Sequence, residues 1–252
     1  IGMGAGIVPM QFVADGIETD VVEINGKVVA MAEQFFDFNS SQVNLTIGDG
    51  RQFLNQTDQK YDAIILDAFL GDSSPSHLMT RESFTEIHRH LAADGVLVIN
   101  SFGETSKDRQ FFSASLDKTL RSAFGTARVK VHASGQGNVF FVATGAKELN
   151  PHRPPKVPDQ NAARRLETAD SDDAIQAEWN IWRGAAKNVG PFFSEHFQVQ
   201  NQMGLMWKKQ REFDTQQGRI LRDDFNPVEF YDARNREENR RYLIEMLGNN
   251  DG

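Results

Sequence analysis

The sequence predicts an α/β fold built on a mainly parallel, doubly wound sheet. Three observations indicate this fold. The chain opens with a glycine-rich turn, and an apolar strand that ends in a carboxylate follows about twenty residues later. Strands then alternate with helices through residue 144. This order is typical of a nucleotide-binding βαβ unit.

The opening turn, residues 1–6, contains Gly2, Gly4 and Gly6, which let the backbone bend tightly and approach a ligand closely. A short helix at 7–14 follows and stops at Asp15-Gly16. The next strand, at 20–24, carries Glu23 where an acid accepts hydrogen bonds from ribose hydroxyls.

The remaining elements of the sheet domain continue the alternation. They are a helix at 27–36, a strand at 43–47, a short helix from 51 to 55, a strand at 61–67, a helix at 80–91, a turn at 94–95, a strand at 96–100, a helix at 111–124, and strands at 127–132 and 138–144. The strand at 61–67 is apolar on both faces, as the interior of a parallel sheet requires. The last two strands predict an antiparallel closing pair.

Composition divides the chain into three parts. Residues 1–148 form the predicted sheet domain, and residues 149–160 are a proline-rich, extended linker. Residues 161–252 are polar, and we expect them to form a helical C-terminal extension. Its aromatic side chains suit packing onto the first domain or a homodimer interface, and they are Trp179, Trp182, Phe192, Phe193, Phe197 and Trp207.

Whole-chain composition narrows the functional classes. A net charge of −8 disfavours nucleic-acid binding and suits a cationic substrate. The absence of cysteine excludes disulfides and thiolate chemistry. No apolar run is long enough to span a membrane, so we expect a cytoplasmic protein without membrane contact in this part of the chain. Because the first strand of a doubly wound sheet is central, we also expect upstream residues, which leaves a signal or membrane segment there open.

Acidic residues or glycines are predicted at the carboxyl ends of four successive strands. They are the glycine turn, Glu23, Gly48-Asp49-Gly50 and Asp67. Each of them alone carries little information, because aspartate and glycine are common where a strand ends. Because ligands bind at the carboxyl ends of strands in open α/β sheets, the four together predict a nucleoside site.

These segments resemble the spermidine synthase (polyamine aminopropyltransferase) branch of the Rossmann-like class I S-adenosylmethionine-dependent methyltransferase fold. The resemblance covers about residues 1–145, with a fainter similarity at 221–227. It rests on the motifs Gly2-Met3-Gly4-Ala5-Gly6, Val22-Glu23-Ile24-Asn25, Ile47-Gly48-Asp49-Gly50-Arg51-Gln52-Phe53, Tyr61-Asp62-Ala63-Ile64-Ile65-Leu66-Asp67, Pro75-Ser76-His77-Leu78-Met79-Thr80-Arg81-Glu82-Ser83-Phe84 and Gly95-Val96-Leu97-Val98-Ile99-Asn100.

The resemblance implies a nucleoside substrate, S-adenosylmethionine or its decarboxylated form, and no metal. By this similarity Gly2, Gly4 and Gly6 border the methionine part of the nucleoside, and Glu23 binds the ribose hydroxyls. Asp49 and Gly50 meet the adenine.

The resemblance also implies that Asp67 and Asp72 belong to an acidic loop that holds a small-molecule amine or polyamine. An alkylammonium must lose a proton before its nitrogen attacks the carbon beside a sulfonium, and a carboxylate can accept that proton. We therefore assign Asp72 as the base and Asp67 as the residue that orients the ligand. His77, beside this loop, is a candidate substrate contact.

Two alternatives to aminopropyl transfer remain open. The family's glycine motif usually carries an aspartate where this chain has Ala5, which favours methyl transfer. An inactive family member that serves as a binding or regulatory module is the other alternative. We interpret Asp223-Asp224 as helix-start or solvated acids, and His88 and His90 as residues that do not bind a metal, since they face different ways on a helix.

Overall fold

The computed structural model describes residues 1–69, 75–103, 110–133, 138–149, 210–214 and 216–227. Its helices and strands through residue 144 follow the predicted order, and the short strand at 210–211 was not predicted. They are α1 (Ile7–Ala14), β1 (Asp20–Glu23), α2 (Gly26–Phe35), β2 (Asn44–Ile47), α3 (Gly50–Gln56), β3 (Tyr61–Leu66), α4 (Arg81–His90), β4 (Leu91–Phe102), α5 (Phe111–Phe124), β5 (Val129–Ala133), β6 (Asn138–Thr144) and β7 (Gln210–Arg211). Three short 3₁₀ turns lie at Ser40–Gln42, Ser76–Leu78 and Thr126–Arg128.

The strands form two sheets, a parallel pair and a mixed five-stranded sheet, and their alternation with helices confirms the predicted α/β fold class. β1 pairs with β2 in parallel in the first sheet, and β3 pairs with β4 in parallel in the second. β6 runs antiparallel to β4, and the strand order of the five-stranded sheet is β3-β4-β6-β5-β7. This is the Rossmann-like architecture of class I methyltransferases, with its antiparallel closing strand beside a parallel sheet.

The first two residues connect the two groups of parallel strands. The Gly2 amide donates to the Val22 carbonyl of β1 at 2.8 Å. The Ile1 carbonyl accepts from the Asp67 amide, just after β3, at 3.0 Å. Residues 1–2 therefore lie between β1 and β3. A groove of about 490 Å³ borders the same two strands, and Asp20 and Tyr61 are among its lining residues.

One predicted turn is wrong. Asp94 and Gly95 lie inside β4, because the pairing of β3 with β4 shifts between Tyr61 and Ala63 and leaves the extra residues of β4 in a bulge. The bulge lets β4 begin at Leu91, before the Asp-Gly pair, where sequence reasoning expects a turn and a strand only from residue 96.

The chain divides into two compact units. The first comprises residues 1–131, 135–149 and 212–252, and the second comprises 132–134 and 150–211. The predicted linker at 149–160 lies almost entirely outside the described residues, as does most of the extension at 161–252, so both stay predictions, as does the homodimer. None of the described helices is long and apolar enough to cross a membrane.

Residues 216–227, which we call the strap, pack on α4 and α5 within the first unit. Backbone amides of the strap donate to hydroxyls of α5: Arg219 to Ser115 Oγ at 3.0 Å and Leu221 to Thr119 Oγ1 at 2.9 Å. The Leu221 carbonyl accepts from the Arg81 amide at the start of α4. The buried hydroxyls of α5 are thereby satisfied by a segment about a hundred residues away in sequence.

The strap should contribute to the stability of the sheet domain. Leu221 is buried and belongs to the main apolar core, so Leu221→Ala is expected to lower the free energy of unfolding by about 2–5 kcal/mol. Phe225 lies in the same segment but is half exposed, and Phe225→Ala is the control, with an expected loss below about 1 kcal/mol. Urea denaturation measures both. Equal losses for the two variants would contradict a core role for Leu221.

Candidate functional site

The glycine turn has the backbone conformation that sequence reasoning expects of it. Gly2, Gly4 and Gly6 have φ angles of 78°, 52° and 77°, in the left-handed region that disfavours other residues. The Gly6 amide donates to the Met3 carbonyl at 2.9 Å and closes the turn. Gly6 is also the residue before α1, so the turn leads directly into the N-terminus of a helix.

Two of these glycines are needed for close approach as well as for conformation. A Cβ atom at Gly2 would overlap the carbonyl oxygen of Asp67, at the end of β3. A Cβ at Gly6 would overlap the ring of Phe38, which is buried in the smaller apolar core. Around Gly4, in contrast, no atom lies within 4 Å of the Cβ position. The turn therefore fits tightly against the sheet at both ends and is open in its middle.

Glu23 ends β1 and joins it to the glycine turn. Its side chain is buried, and both carboxylate oxygens accept backbone hydrogen bonds: Oε2 from the Met3 amide at 3.1 Å and Oε1 from the Asn25 amide at 3.0 Å. A carboxylate has about four lone-pair positions. The Met3 and Asn25 amides use two of these positions, and the remaining two are suited to accept hydrogen bonds from the two hydroxyls of a vicinal diol.

Asp49 begins α3 and contacts His77. Its Oδ1 accepts from the Gln52 amide at 2.9 Å, as an N-cap does, and its Oδ2 lies 2.6 Å from His77 Nε2. Partial burial tends to raise the pKa of the Asp49 carboxyl, but the hydrogen bonds from Gln52 and His77 outweigh it and hold that pKa below its usual value. Asp49 is therefore an ionised acceptor at the end of β2. Gly50, directly after it, is buried against the Ile1 side chain.

Asp67 follows β3 and is oriented by a residue that sequence reasoning did not assign. The Asn100 side chain, on β4, donates from Nδ2 to Asp67 Oδ1 at 3.0 Å. Asn100 Oδ1 is buried and has no hydrogen-bond partner among the described residues. Because Asn100 lies 33 positions away on a neighbouring parallel strand, only the register of β3 and β4 reveals the pair.

Asp223 is exposed, as its interpretation as a solvated acid expects, but it also has a specific partner that sequence reasoning did not assign. Its carboxylate accepts two hydrogen bonds from Arg51, from Nη1 at 2.8 Å and from Nη2 at 2.5 Å. Arg51 is the second residue of α3, two positions after Asp49. The strap thus reaches the carboxyl end of β2, and only the tertiary structure brings these residues together.

Other predicted residues have different placements. Asp72 lies outside the described residues. His88 stacks on Phe124, and His90 contacts the Gln59 carbonyl and Glu86. In the part of the chain that the structure describes, no three acidic or histidine side chains form a group that could hold a metal ion.

The glycine turn, Glu23, Asp49 and Asp67 lie at the carboxyl ends of strands in one unit. Residues 1–2 bond to both β1 and β3, the Gly48 amide donates to the Glu23 carbonyl at 2.9 Å, and β1 and β2 are parallel. These contacts bring a left-handed turn and three carboxylates to one edge of the sheet. The ligand roles of these residues stay predictions.

Comparison with known proteins agrees with this architecture. Residues 13–145 match the family model of the spermine/spermidine synthase domain. A polyamine aminopropyltransferase of Vibrio vulnificus is 34% identical over 236 residues, which cover 90% of this chain and 67% of that protein. An N-terminal histidine N-methyltransferase of Emericella nidulans is 34% identical over 135 residues, which cover 51% of this chain and 23% of that protein.

Among solved structures, a probable spermidine synthase of Corynebacterium glutamicum is similar with a TM-score of 0.51 and 20% identity. The similarity covers 76% of this chain and 68% of that one. At this identity the structural similarity concerns the fold alone. The chain thus spans about two thirds of the aminopropyltransferase relative and under a quarter of the methyltransferase relative.

Proposed function

Because the chain belongs to the spermine/spermidine synthase family, we propose that it transfers an aminopropyl group from decarboxylated S-adenosylmethionine to an amine of a polyamine. The observation that carries this proposal is the hydrogen bond between the Glu23 carboxylate and the glycine turn. One buried carboxylate accepts the Met3 amide and retains acceptor positions for a diol. This is what recognition of an adenosine ribose requires.

We propose roles for the other strand ends on the same basis. The open middle of the glycine turn, around Gly4, would admit the aminopropyl group that is attached to the sulfonium sulfur. The ionised Asp49 carboxylate is an acceptor suited to the amino group of adenine, and Gly50, directly after it, would lie beside the ring. Asp67, held by Asn100, would orient the aminopropyl carbon and the incoming amine.

The reaction we propose is a nucleophilic displacement. The acceptor ammonium gives a proton to a carboxylate, for which Asp72 is our candidate, and the free amine then attacks the methylene carbon beside the sulfonium. A carbon–nitrogen bond forms, the carbon–sulfur bond breaks, and its electron pair returns to sulfur as methylthioadenosine leaves. In-line placement of amine and sulfonium supplies much of the acceleration. The net negative charge of the chain favours approach of a polycation.

Product analysis tests this proposal. With decarboxylated S-adenosylmethionine and putrescine, mass spectrometry should detect an acceptor enlarged by one aminopropyl group together with methylthioadenosine. Asp72→Asn is expected to lower turnover by at least about 100-fold while methylthioadenosine affinity stays within about twofold, because a base acts on the amine and not on the nucleoside. Asp58→Asn, at an exposed position, is the control. Retained turnover in Asp72→Asn would remove that residue from the mechanism.

Methyl transfer is the second candidate, favoured by Ala5 in the glycine motif. A smaller, uncharged side chain at this position suits a cofactor that retains its carboxylate, since an aspartate there would repel it. The same assay separates the candidates. If the acceptor gains one methyl group when S-adenosylmethionine is supplied, the activity is methyl transfer and the aminopropyl proposal is rejected. Absence of binding by either nucleoside would instead favour the binding-module alternative.

A further inference from the structure

Asp223 makes more contacts than an exposed acid normally does. Besides its two bonds from Arg51, its backbone amide donates to Glu82 Oε2 at 3.2 Å. The Arg51 guanidinium and the Thr80 hydroxyl hold the pKa of the Asp223 carboxyl below its usual value, although partial burial acts the other way. Asp223 is therefore a charged group fixed in one place on the surface of the first unit.

The 3₁₀ turn Ser76–Leu78 is held from two sides by the same pair of segments. Arg51 Nη1 donates to the His77 carbonyl at 3.2 Å. On the other side, Asn226 Nδ2, from the strap, donates to the Ser76 carbonyl at 2.5 Å. This 3₁₀ turn places the His77 ring beside Asp49 Oδ2. The strap is thus connected through Arg51 and His77 to the carboxylate that begins α3.

Three acidic side chains lie near the Arg51 guanidinium. Asp223 is its hydrogen-bonded partner, and Glu82 and Asp49 also raise the pKa of its guanidinium through their charge. A guanidinium is planar and offers a fixed fork of donors, so a bidentate bond to one carboxylate directs the whole group. In the structure Nη1 donates to Asp223 and to the His77 carbonyl, and Nη2 donates to Asp223.

We propose that Asp223 is a positioning residue for nucleoside binding, which keeps Arg51 from pairing with Asp49 and holds the His77 turn. The acceptor positions of the Asp49 carboxylate that Gln52 and His77 do not use then remain available to adenine. This inference rests on the proposed nucleoside site and adds a residue from a distant part of the chain to it. Without the Asp223 charge, Arg51 turns to its remaining acidic neighbours. An Arg51–Asp49 pair then competes with the adenine amino group for the same acceptor.

Calorimetric titration with methylthioadenosine tests this role. Asp223→Asn is expected to weaken binding about tenfold, as the loss of one well-made charged contact does. Asp223→Glu should restore most of the affinity because it retains a carboxylate for Arg51. Asp224→Asn is the matched control, since Asp224 is the exposed neighbouring acid, and its affinity should equal that of the wild type.

A double substitution separates positioning from a merely structural contribution. Arg51→Gln in the Asp223→Asn background removes the competing guanidinium, so the double variant should bind methylthioadenosine more tightly than Asp223→Asn alone. A structural role predicts the opposite order. Asp223→Asn affinity within twofold of the wild type, or a double variant no tighter than the single, would overturn the inference. Wild-type protein that does not bind methylthioadenosine would instead overturn the proposed function.

Discussion

Glu23→Ala is expected to weaken nucleoside binding by about 100-fold or more, the largest effect on ligand affinity among the substitutions considered. The carboxylate accepts the Met3 and Asn25 amides while buried, so its removal leaves two backbone donors without their acceptors and also removes the proposed ribose contacts. Hydrogen bonds to charged groups contribute about 1.5–3 kcal/mol each, and two of them account for a loss of this size.

Titration with methylthioadenosine measures this loss, and Glu18→Ala is the control. Glu18 is an exposed acid shortly before the same strand, so its removal changes the net charge equally without touching the turn. Glu23→Gln should bind nearly as weakly as Glu23→Ala, because one half of the amide would present a donor to a backbone N–H. Glu23→Gln with wild-type affinity would exclude a role that needs both carboxylate oxygens.

Gly2→Ala is expected to lower the free energy of unfolding by about 3–5 kcal/mol, the largest expected effect on stability from a single methyl group. Two causes add. The left-handed conformation of Gly2 costs any other residue about 1–2 kcal/mol, and the new Cβ would overlap the Asp67 carbonyl, which is backbone and cannot move aside without shifting the end of β3.

Gly4→Ala separates these two causes. Gly4 also has a positive φ angle, but no atom lies within 4 Å of its Cβ position, so this variant bears only the conformational cost. Urea denaturation of both variants should therefore show a larger loss for Gly2→Ala by about 2 kcal/mol or more. Equal losses would mean that the turn and the end of β3 are not in close contact.

Much of the sheet domain could be predicted because its signals are local. Apolar runs of four to seven residues that end in a polar group predict strands such as β3, and the left-handed turn at Gly2 follows from the glycines themselves. The bulge in β4 was missed for the opposite reason. Whether Asp94-Gly95 turns the chain or bulges depends on the pairing partner, which sequence periodicity does not contain.

The contacts that orient the candidate site were beyond sequence reasoning. Asn100 bonds to Asp67 because β3 and β4 are parallel and in a particular register. The partner of Asp223 was missed for the same reason, since Arg51 is 172 positions away. The fainter family similarity at 221–227 was a signal for this segment, but it did not indicate which residue Asp223 contacts.

The amino-acid sequence by itself determined the order of helices and strands, the glycine turn and the acids that follow the strands, because each depends on neighbouring residues and on the periodicity of side chains. Only the tertiary structure decided which of those acids are fixed by hydrogen bonds and which residues are their partners. Glu23 on the Met3 amide, Asp49 beside His77 and Asp223 on Arg51 each join segments that are far apart in the chain. Such pairs form only when packing of the whole sheet domain brings the donor and the acceptor within hydrogen-bond distance.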